Sequence, residues 1–230
     1  MNSNRFNYFQ VTALNSGSEM KMDRTDLVRS TTLWAVALAA LLTAVKGAFA
    51  VGAVDPSYIK SLAAPGKAVL VVEYYDGAKT VVSRKGYASS TGFRAVSSLD
   101  IVVDGKTNLH LYGLEPCAGD MVNRRENYSG SCAEFAQQKL QILLTSPKVI
   151  LCRAFVSEEN AIKQDVTCFG YYYFPGALDS VDNLEEELLS LGALRLAKKP
   201  DGTLMRPDLA DAERIGRQGF GMWADPRVPR

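Results

Sequence analysis

The chain has 230 residues, of which 47% are hydrophobic and 22% are charged, with a formal net charge of +1. This composition excludes a disordered or low-complexity chain and allows one or two folded domains. After position 50, 21 lysines and arginines stand against 22 aspartates and glutamates. A near-neutral domain lacks the overall positive charge that attracts proteins to phosphate backbones, so the balance counts against a nucleic-acid partner.

The first 50 residues have the order of a secretory signal peptide. Residues 1–30 are polar with basic side chains, residues 31–45 are uncharged and mostly apolar, and Ala48-Phe49-Ala50 supplies a small-residue cleavage site. A membrane anchor is the alternative, but a spanning helix needs about 20 apolar residues and Lys46 interrupts this run. We therefore predict residues 1–50 as a signal peptide, with a later start at one of two methionines left open. The product would be periplasmic or secreted, with no stable membrane span.

Residues 51–93 predict an amino-terminal extension that contains a β-hairpin. Residues 69–75 and 80–85 have the composition of strands, and Asp76-Gly77 between them is a turn dipeptide. The tyrosines of this region offer either a stacking surface for bases or sugars or, as is common for aromatic residues in strands, cross-strand packing. We favour packing.

A second hairpin and an abrupt loop occupy residues 95–118. Residues 96–103 are rich in β-branched side chains, Asp104-Gly105 supplies a tight turn, and leucines restart the apolar pattern at position 109. Pro116 ends the second strand because proline cannot donate to a strand ladder.

A helix and one more hairpin are predicted after this loop. They are expected in the following order: a helix to about residue 146 and strands at 148–156 and 166–174. Ser131 and Glu134 form a capping box for this helix.

All four cysteines follow the predicted cleavage site, at positions 117, 132, 152 and 168. An even number in an exported chain indicates a disulfide framework, which four cysteines can form in three ways. Spacing favours Cys152 with Cys168, which are equidistant from the turn of their hairpin, and therefore Cys117 with Cys132. Free thiols or a metal site are the alternatives. The chain has no C-x-x-C spacing and a single histidine, which counts against zinc.

Residues 94–223 resemble the thermonuclease (staphylococcal nuclease-like) family. That family has a strand ending in Asp-Gly-Asp-Thr, a hairpin, and then Arg-Leu and Ile-Asp-x-Pro-Glu; here the corresponding stretch runs from Asp100 to Ala118. Residues 183–192 resemble one helix of the family pattern, which Asp182 and Glu185 would cap. Residues 212–223, which close at Gly221-Met222-Trp223, resemble its last helix, so the resemblance implies helices at both places. The resemblance implies an α+β fold at 94–230, an OB-type five-stranded β-barrel with about three helices, to which the amino-terminal hairpin is added.

The resemblance also assigns roles to single positions, and most of them hold a different residue here. Asp100 and Glu115 stand in two acidic metal-ligand places, so weak calcium binding is possible. His110 stands in the place of the phosphate-binding arginine, Ala118 in that of the general base, and Phe169 in that of the second catalytic arginine. In a shorter alignment of the loop, Cys117 takes the place of Ala118, and neither residue provides a carboxylate.

The expected losses in catalytic rate show what these replacements imply for activity. Losing one charge-stabilising donor costs about 10²–10³ in rate, and losing an arginine finger about 10³–10⁵. With both arginines and the glutamate replaced, the resemblance implies a catalyst near background. The favoured hypothesis is therefore an exported, catalytically degenerate binding or accessory protein.

The signal, the cysteines and the lost active site also resemble small proteins labelled as succinoglycan biosynthesis proteins. This second resemblance implies a role in exopolysaccharide synthesis and a partner that is an acidic polysaccharide or its machinery, with no cofactor except possible calcium. The alternative hypothesis is a secreted calcium-dependent nuclease in which Arg124, Arg125 or Arg153 replaces the missing guanidiniums. That hypothesis requires these side chains to lie beside Asp100.

Overall fold

A computed structural model describes residues 54–175 and 178–228. The predicted signal peptide lies outside the described residues. Within them the fold is α+β, with a mixed sheet of many strands and several short helices. None of the described helices has the length and hydropathy needed to cross a membrane.

Twelve strands and four α-helices follow one another along the described chain. The strands are β1 (Ala68–Tyr75), β2 (Val81–Ser89), β3 (Arg94–Ala95), β4 (Asp100–Val102), β5 (Asn108–Leu111), β6 (Leu114–Glu115), β7 (Asp120–Asn123), β8 (Tyr128–Ser131), β9 (Val149–Phe155), β10 (Lys163–Tyr172), β11 (Ser180–Asn183) and β12 (Arg195–Leu196). The helices are α1 (Pro56–Ser61), α2 (Cys132–Thr145), α3 (Leu184–Ser190) and α4 (Ala210–Gly216).

The main sheet has the strand order β2-β1-β9-β10-β5-β4-β3, and β11 also pairs with β10. The pairs β1–β9 and β10–β5 are parallel, and the other pairs are antiparallel. The two end strands, β2 and β3, do not pair with each other in the described part of the chain, so the sheet is open. Two ribbons, β6 with β12 and β7 with β8, complete the strands.

The predicted amino-terminal hairpin is present as β1 and β2, with β2 continuing to Ser89. It belongs to the main sheet, because β1 lies between β2 and β9. Tyr74 is fully buried and its hydroxyl donates to Gln164 Oε1 at 2.8 Å. This tyrosine therefore packs in the core, as favoured from the sequence, and is not part of a stacking surface.

Side chains alternate between the two faces of the sheet and bury two separate cores. The larger core collects the residues of one face together with α2, α3 and α4. The smaller core lies on the opposite face, where Ile59 of α1 packs among valines of β1, leucine and valine of β9 and aromatic residues of β10. We call the face of the sheet that carries the smaller core the outer face.

Both disulfides favoured from the spacing are present. Cys117–Cys132 joins the loop after β6 to the first residue of α2, with the Cα atoms 5.5 Å apart. Cys152–Cys168 joins directly opposed residues of β9 and β10, with the Cα atoms 4.1 Å apart. Two disulfides fit an exported protein, because such bonds persist in oxidising compartments.

The helix ends confirm one predicted N-cap and contradict another. Ser131 caps α2, as predicted, by accepting from the Glu134 N–H. The predicted caps of α3 were wrong: Asn183 is the N-cap and accepts from the Glu186 N–H at 2.9 Å, whereas Glu185 is fully buried. The predicted last helix is divided into α4 and a separate 3₁₀ turn at Gly221–Ala224.

Candidate functional site

Asp100 and His110 lie opposite each other in the β4–β5 hairpin. A turn forms at the predicted place but is longer than the predicted two-residue turn at Asp104-Gly105, because the Val103 N–H donates to the Thr107 carbonyl at 3.1 Å. The Asp104 carboxylate accepts from the N–H groups of Lys106 and Thr107 at 2.8 and 2.7 Å. Residues opposed in an antiparallel pair project to the same face. The hairpin therefore brings the two side chains together on the outer face of the sheet.

The Asp100 carboxylate is held by three side chains of the same chain. Its Oδ1 lies 2.7 Å from His110 Nδ1 and 2.9 Å from Lys163 Nζ, and its Oδ2 accepts from the Ser97 hydroxyl at 2.7 Å. Burial alone would raise the pKa of Asp100, but the hydrogen bonds from Ser97, Lys163 and His110 outweigh it and lower the pKa. Both oxygens of the acid are therefore committed to internal partners.

His110, which the sequence resemblance sets in the place of an arginine, has different chemistry. The contact with Asp100 uses Nδ1, and only Nε2 remains for an outside group. A single imidazole nitrogen cannot provide the bidentate fork with which a guanidinium binds a phosphate.

Glu115, the other predicted metal ligand, is engaged separately. It lies in β6 opposite Arg195 of β12, and its Oε1 is 3.0 Å from Arg195 Nε. Across residues 54–175 and 178–228, no three His, Cys, Asp or Glu side chains lie close enough to hold a metal ion. Calcium prefers about 6–8 oxygen ligands. The residues present therefore do not fit a calcium ion, because Asp100 and Glu115 each already face a cation.

The remaining degenerate positions provide no catalytic group. Ala118 is an exposed loop residue, and Cys117 is bonded to Cys132. Phe169 is buried in the smaller core, on the outer face of the sheet. Neither place predicted for the general base holds a carboxylate, and the place predicted for the second arginine holds a packed aromatic ring.

The three arginines considered as substitutes belong to other elements. Arg124 and Arg125 are in the turn between β7 and β8, where Arg125 donates to the Gly219 carbonyl at 3.1 Å and lies over the Phe220 ring. Arg153 lies between two aromatic rings, with its guanidinium carbon 5.6 Å from the centroid of Tyr75 and 5.3 Å from that of Phe169. Because β9 is three strands from β4, Arg153 and Asp100 are separated by about 14 Å across the sheet. The contacts of Asp100 described above are with Ser97, His110 and Lys163, and the nuclease hypothesis stays a prediction.

Lys163 is the residue of this site that the sequence did not indicate. It is the first residue of β10 and lies opposite Asn108 in the parallel β5–β10 pair, so that β5 separates it from the strand of Asp100. About half of its side chain is exposed. Parallel pairing joins strands that are distant along the chain, so local sequence gives no signal for it.

A second cluster of charged groups lies between β10 and the carboxyl-terminal helices. Arg206 Nη1 donates to the Thr167 hydroxyl at 2.9 Å, and its Nη2 donates to Asp208 at 2.7 Å. Both oxygens of the buried Glu185 accept from the Cys168 N–H at 3.1 Å. Burial raises the pKa of Glu185 to about 7, against the lowering effect of the Cys168 hydrogen bond.

The Cys168 N–H needs this unusual partner because of the sheet topology. β10 pairs with β5 up to Val166 and with β11 from Phe169, so Cys168 falls at the change of neighbour. A buried N–H without an acceptor is costly. Glu185 therefore has a structural role, in which it satisfies the backbone where the two strand pairs meet.

The chain was compared with models of known protein families and with curated proteins. No family model matches it, and no curated protein matches it.

Proposed function

We propose that the chain is an exported member of the thermonuclease-like fold group that no longer cleaves phosphodiesters and serves as a binding or accessory module. The sequence resemblance and the hairpin that carries Asp100 support the assignment to that group. The two disulfides support export. The OB-type barrel is part of this proposal, and the mixed sheet is compatible with a small barrel-like fold.

One observation carries the proposed loss of activity: the Lys163 ammonium lies 2.9 Å from Asp100 Oδ1. A carboxylate that ligates calcium must present its oxygens to the metal. Here a side chain of the same chain supplies the positive charge, with His110 and Ser97 completing the contacts. The chain thus neutralises this acid itself, and a metal would have to displace an ion pair before it could bind.

A nuclease assay tests this proposal directly. The full protein, expressed for export so that both disulfides form, is incubated with DNA in the presence and absence of calcium. We expect no calcium-dependent cleavage above background. Asp100→Asn is the matched control, since any cleavage that persists in this variant comes from a contaminant. Cleavage by the unchanged protein that requires calcium and is lost in Asp100→Asn would contradict the proposal.

Removing the ammonium partner tests whether Lys163 keeps Asp100 from a metal. Lys163→Met releases Asp100 from this ion pair and leaves His110 in place. Because Asp100 is a single carboxylate and calcium prefers about 6–8 oxygen ligands, we expect at most weak calcium binding by titration calorimetry in this variant and none in the unchanged protein. Calcium binding of equal strength in both proteins would show that Lys163 does not block the site.

For the partner, we propose an acidic polysaccharide or the machinery that makes it. The resemblance to succinoglycan biosynthesis proteins supports this choice, as does the half-exposed Lys163, which keeps donors available for an anion. Titration calorimetry measures the binding, with succinoglycan as the probe and neutral dextran as the control. We expect binding to the acidic polymer that weakens as salt is added. Equal binding to both polymers, or none to either, would remove this partner from the proposal.

A further inference from the structure

The strand β2 forms an open edge of the main sheet. It is nine residues long and pairs only with β1. Among the described residues, no backbone group of residues 81–89 has a hydrogen-bond partner outside that pair. An unpaired edge of this length is a template for another strand.

The direction of the free backbone groups follows from the parallel pair on the other side of β1. The Val69 N–H donates to the Lys148 carbonyl at 3.2 Å, so the odd-numbered residues of β1 face β9 and the even-numbered residues face β2. The β2 residues opposite those even-numbered residues, such as Lys85 and Tyr87, therefore direct their N–H and C=O groups toward β1. Arg84, Gly86 and Ala88, which alternate with them, point their N–H and C=O groups outward.

The two positive charges that would ordinarily protect such an edge are tied to other parts of the same chain. Arg84 Nε donates to the buried Glu73 at 2.8 Å. Lys85 Nζ donates to the Glu159 carbonyl at 2.6 Å. Charged side chains protect edges by projecting into the space that a new strand would fill, and these two are held against their own sheet.

Charge and symmetry select one register for a second copy. In a two-fold antiparallel pair a residue faces its own copy at the axis, and an axis at Arg84 or Lys85 would oppose like charges. An axis at Gly86 instead sets Arg84 opposite Ala88 and Lys85 opposite Tyr87. A Cβ at Gly86 would have no neighbouring atom within 4 Å, so nothing in its own chain crowds the axis.

We infer that β2 is a self-association edge, at which two copies of this chain pair antiparallel about Gly86. Arg84, Gly86 and Ala88 of each copy exchange six main-chain hydrogen bonds, and the two main sheets become continuous. The inference is independent of the proposed function, since it uses no residue of the Asp100 site.

Sedimentation velocity over a range of concentrations tests this association. We expect dimers in the unchanged protein and at least a tenfold rise in Kd for Gly86→Pro, because proline removes an outward donor without taking one from β1. Gly86→Ala retains the N–H and should still dimerise. Ala88→Pro, at a second outward position, should act like Gly86→Pro and serves if the first variant folds poorly. A protein that stays monomeric, or dimers that both prolines leave intact, would overturn the inference.

A cysteine placed at the axis reports the register independently. Two copies of Gly86→Cys would face each other with their Cα atoms about 5.5 Å apart, within disulfide reach. Val82→Cys is the control, because in this register its two copies lie about 26 Å apart along the strands. Mild oxidation should cross-link the first variant and leave the second uncross-linked. Equal cross-linking of both, or of neither, would overturn pairing about Gly86.

Discussion

Asp100 shows at the scale of one residue how a predicted metal ligand becomes a structural group. Its carboxylate accepts from Ser97 and lies against two nitrogen donors, Lys163 and His110. Hydrogen bonds to a charged group are worth about 1.5–3 kcal/mol each when measured by mutation. The negative charge thus fixes the β4–β5 hairpin to the start of β10.

We predict that Asp100→Asn lowers the free energy of unfolding by about 2 kcal/mol at pH 7, because it removes the charge that Lys163 requires. The pKa of Asp100 is lowered from its ordinary value of 3.8, so its contribution is complete above pH 3.8 and is lost as the pH falls through the lowered folded-state value. Urea unfolding at pH 7 and at pH 2.5 measures both effects. Asp165→Asn, an exposed acid opposite His110, is the control, and an equal loss in that variant would contradict the prediction.

The sequence located Asp100 and His110 in one hairpin but did not predict their contact or the contact with Lys163. Their positions follow from local signals, a strand of β-branched residues and an Asp-Gly turn. A two-residue turn would have set Asp100 opposite Leu109, whereas the longer turn observed sets it opposite His110. Lys163 reaches Asp100 only because β10 pairs in parallel with β5, more than 50 residues earlier in the chain. Such a pairing is set by the packing of the whole sheet, so the residues around Lys163 carry no trace of it.

At the scale of elements, the end of α3 depends on a glycine. Gly192 has a φ of 64°, and a Cβ there would lie 2.2 Å from the Phe220 carbonyl oxygen. The Gly192 carbonyl in turn accepts from the Met222 N–H at 2.8 Å. The helix and the carboxyl-terminal 3₁₀ turn therefore approach each other with no room for a side chain.

We predict that Gly192→Ala destabilises the protein by about 2–4 kcal/mol, because it adds backbone strain to a clash with main-chain atoms that cannot rotate away. Thermal unfolding followed by circular dichroism measures the loss. Gly77→Ala, in a turn where a new Cβ has no neighbour within 4 Å, should change stability by less than about 1 kcal/mol. Similar losses in the two variants would contradict this account of Gly192.

Elements with a strong local signal were predicted well, and their exact ends less so. The capping box at Ser131 and the two hairpin turns are properties of a few adjacent residues. Glu185 was predicted as a helix cap because acids are common in the first turn. Its actual partner, the Cys168 N–H, exists only where β10 changes neighbours, which depends on the complete strand order.

For the whole molecule, the cysteine spacing was sufficient to predict both disulfides, because each bond joins neighbouring elements. That the sheet is open, and that β1 lies in it between β2 and β9, could be learned only from the three-dimensional structure. The partners of the buried acids could also be learned only from the structure. Glu73 is buried, yet it accepts from the hydroxyls of Tyr58 and Tyr75 at 2.6 and 2.7 Å and from Arg84. These donors outweigh its burial and lower its pKa.

Lowered and raised carboxyl pKa values have opposite effects on stability. Glu73 and Asp100 have lowered pKa values, so the stability that they provide is lost as the pH falls below about 4. The pKa of Glu185 is raised by burial from 4.5 to about 7. The folded state therefore holds this proton while the unfolded state releases it, and stability falls as the pH rises between these two values.

We therefore predict that the free energy of unfolding is greatest near pH 5 and falls by about 2 kcal/mol by pH 7.5, the contribution expected from Glu185 over this range. Urea unfolding across pH 3–8 measures the profile. Glu185→Gln keeps an oxygen for the Cys168 N–H but carries no charge, so it should abolish the fall above pH 5 and retain the fall below pH 4. A profile that still declines from pH 5 to 7.5 in this variant would show that another group controls the neutral side.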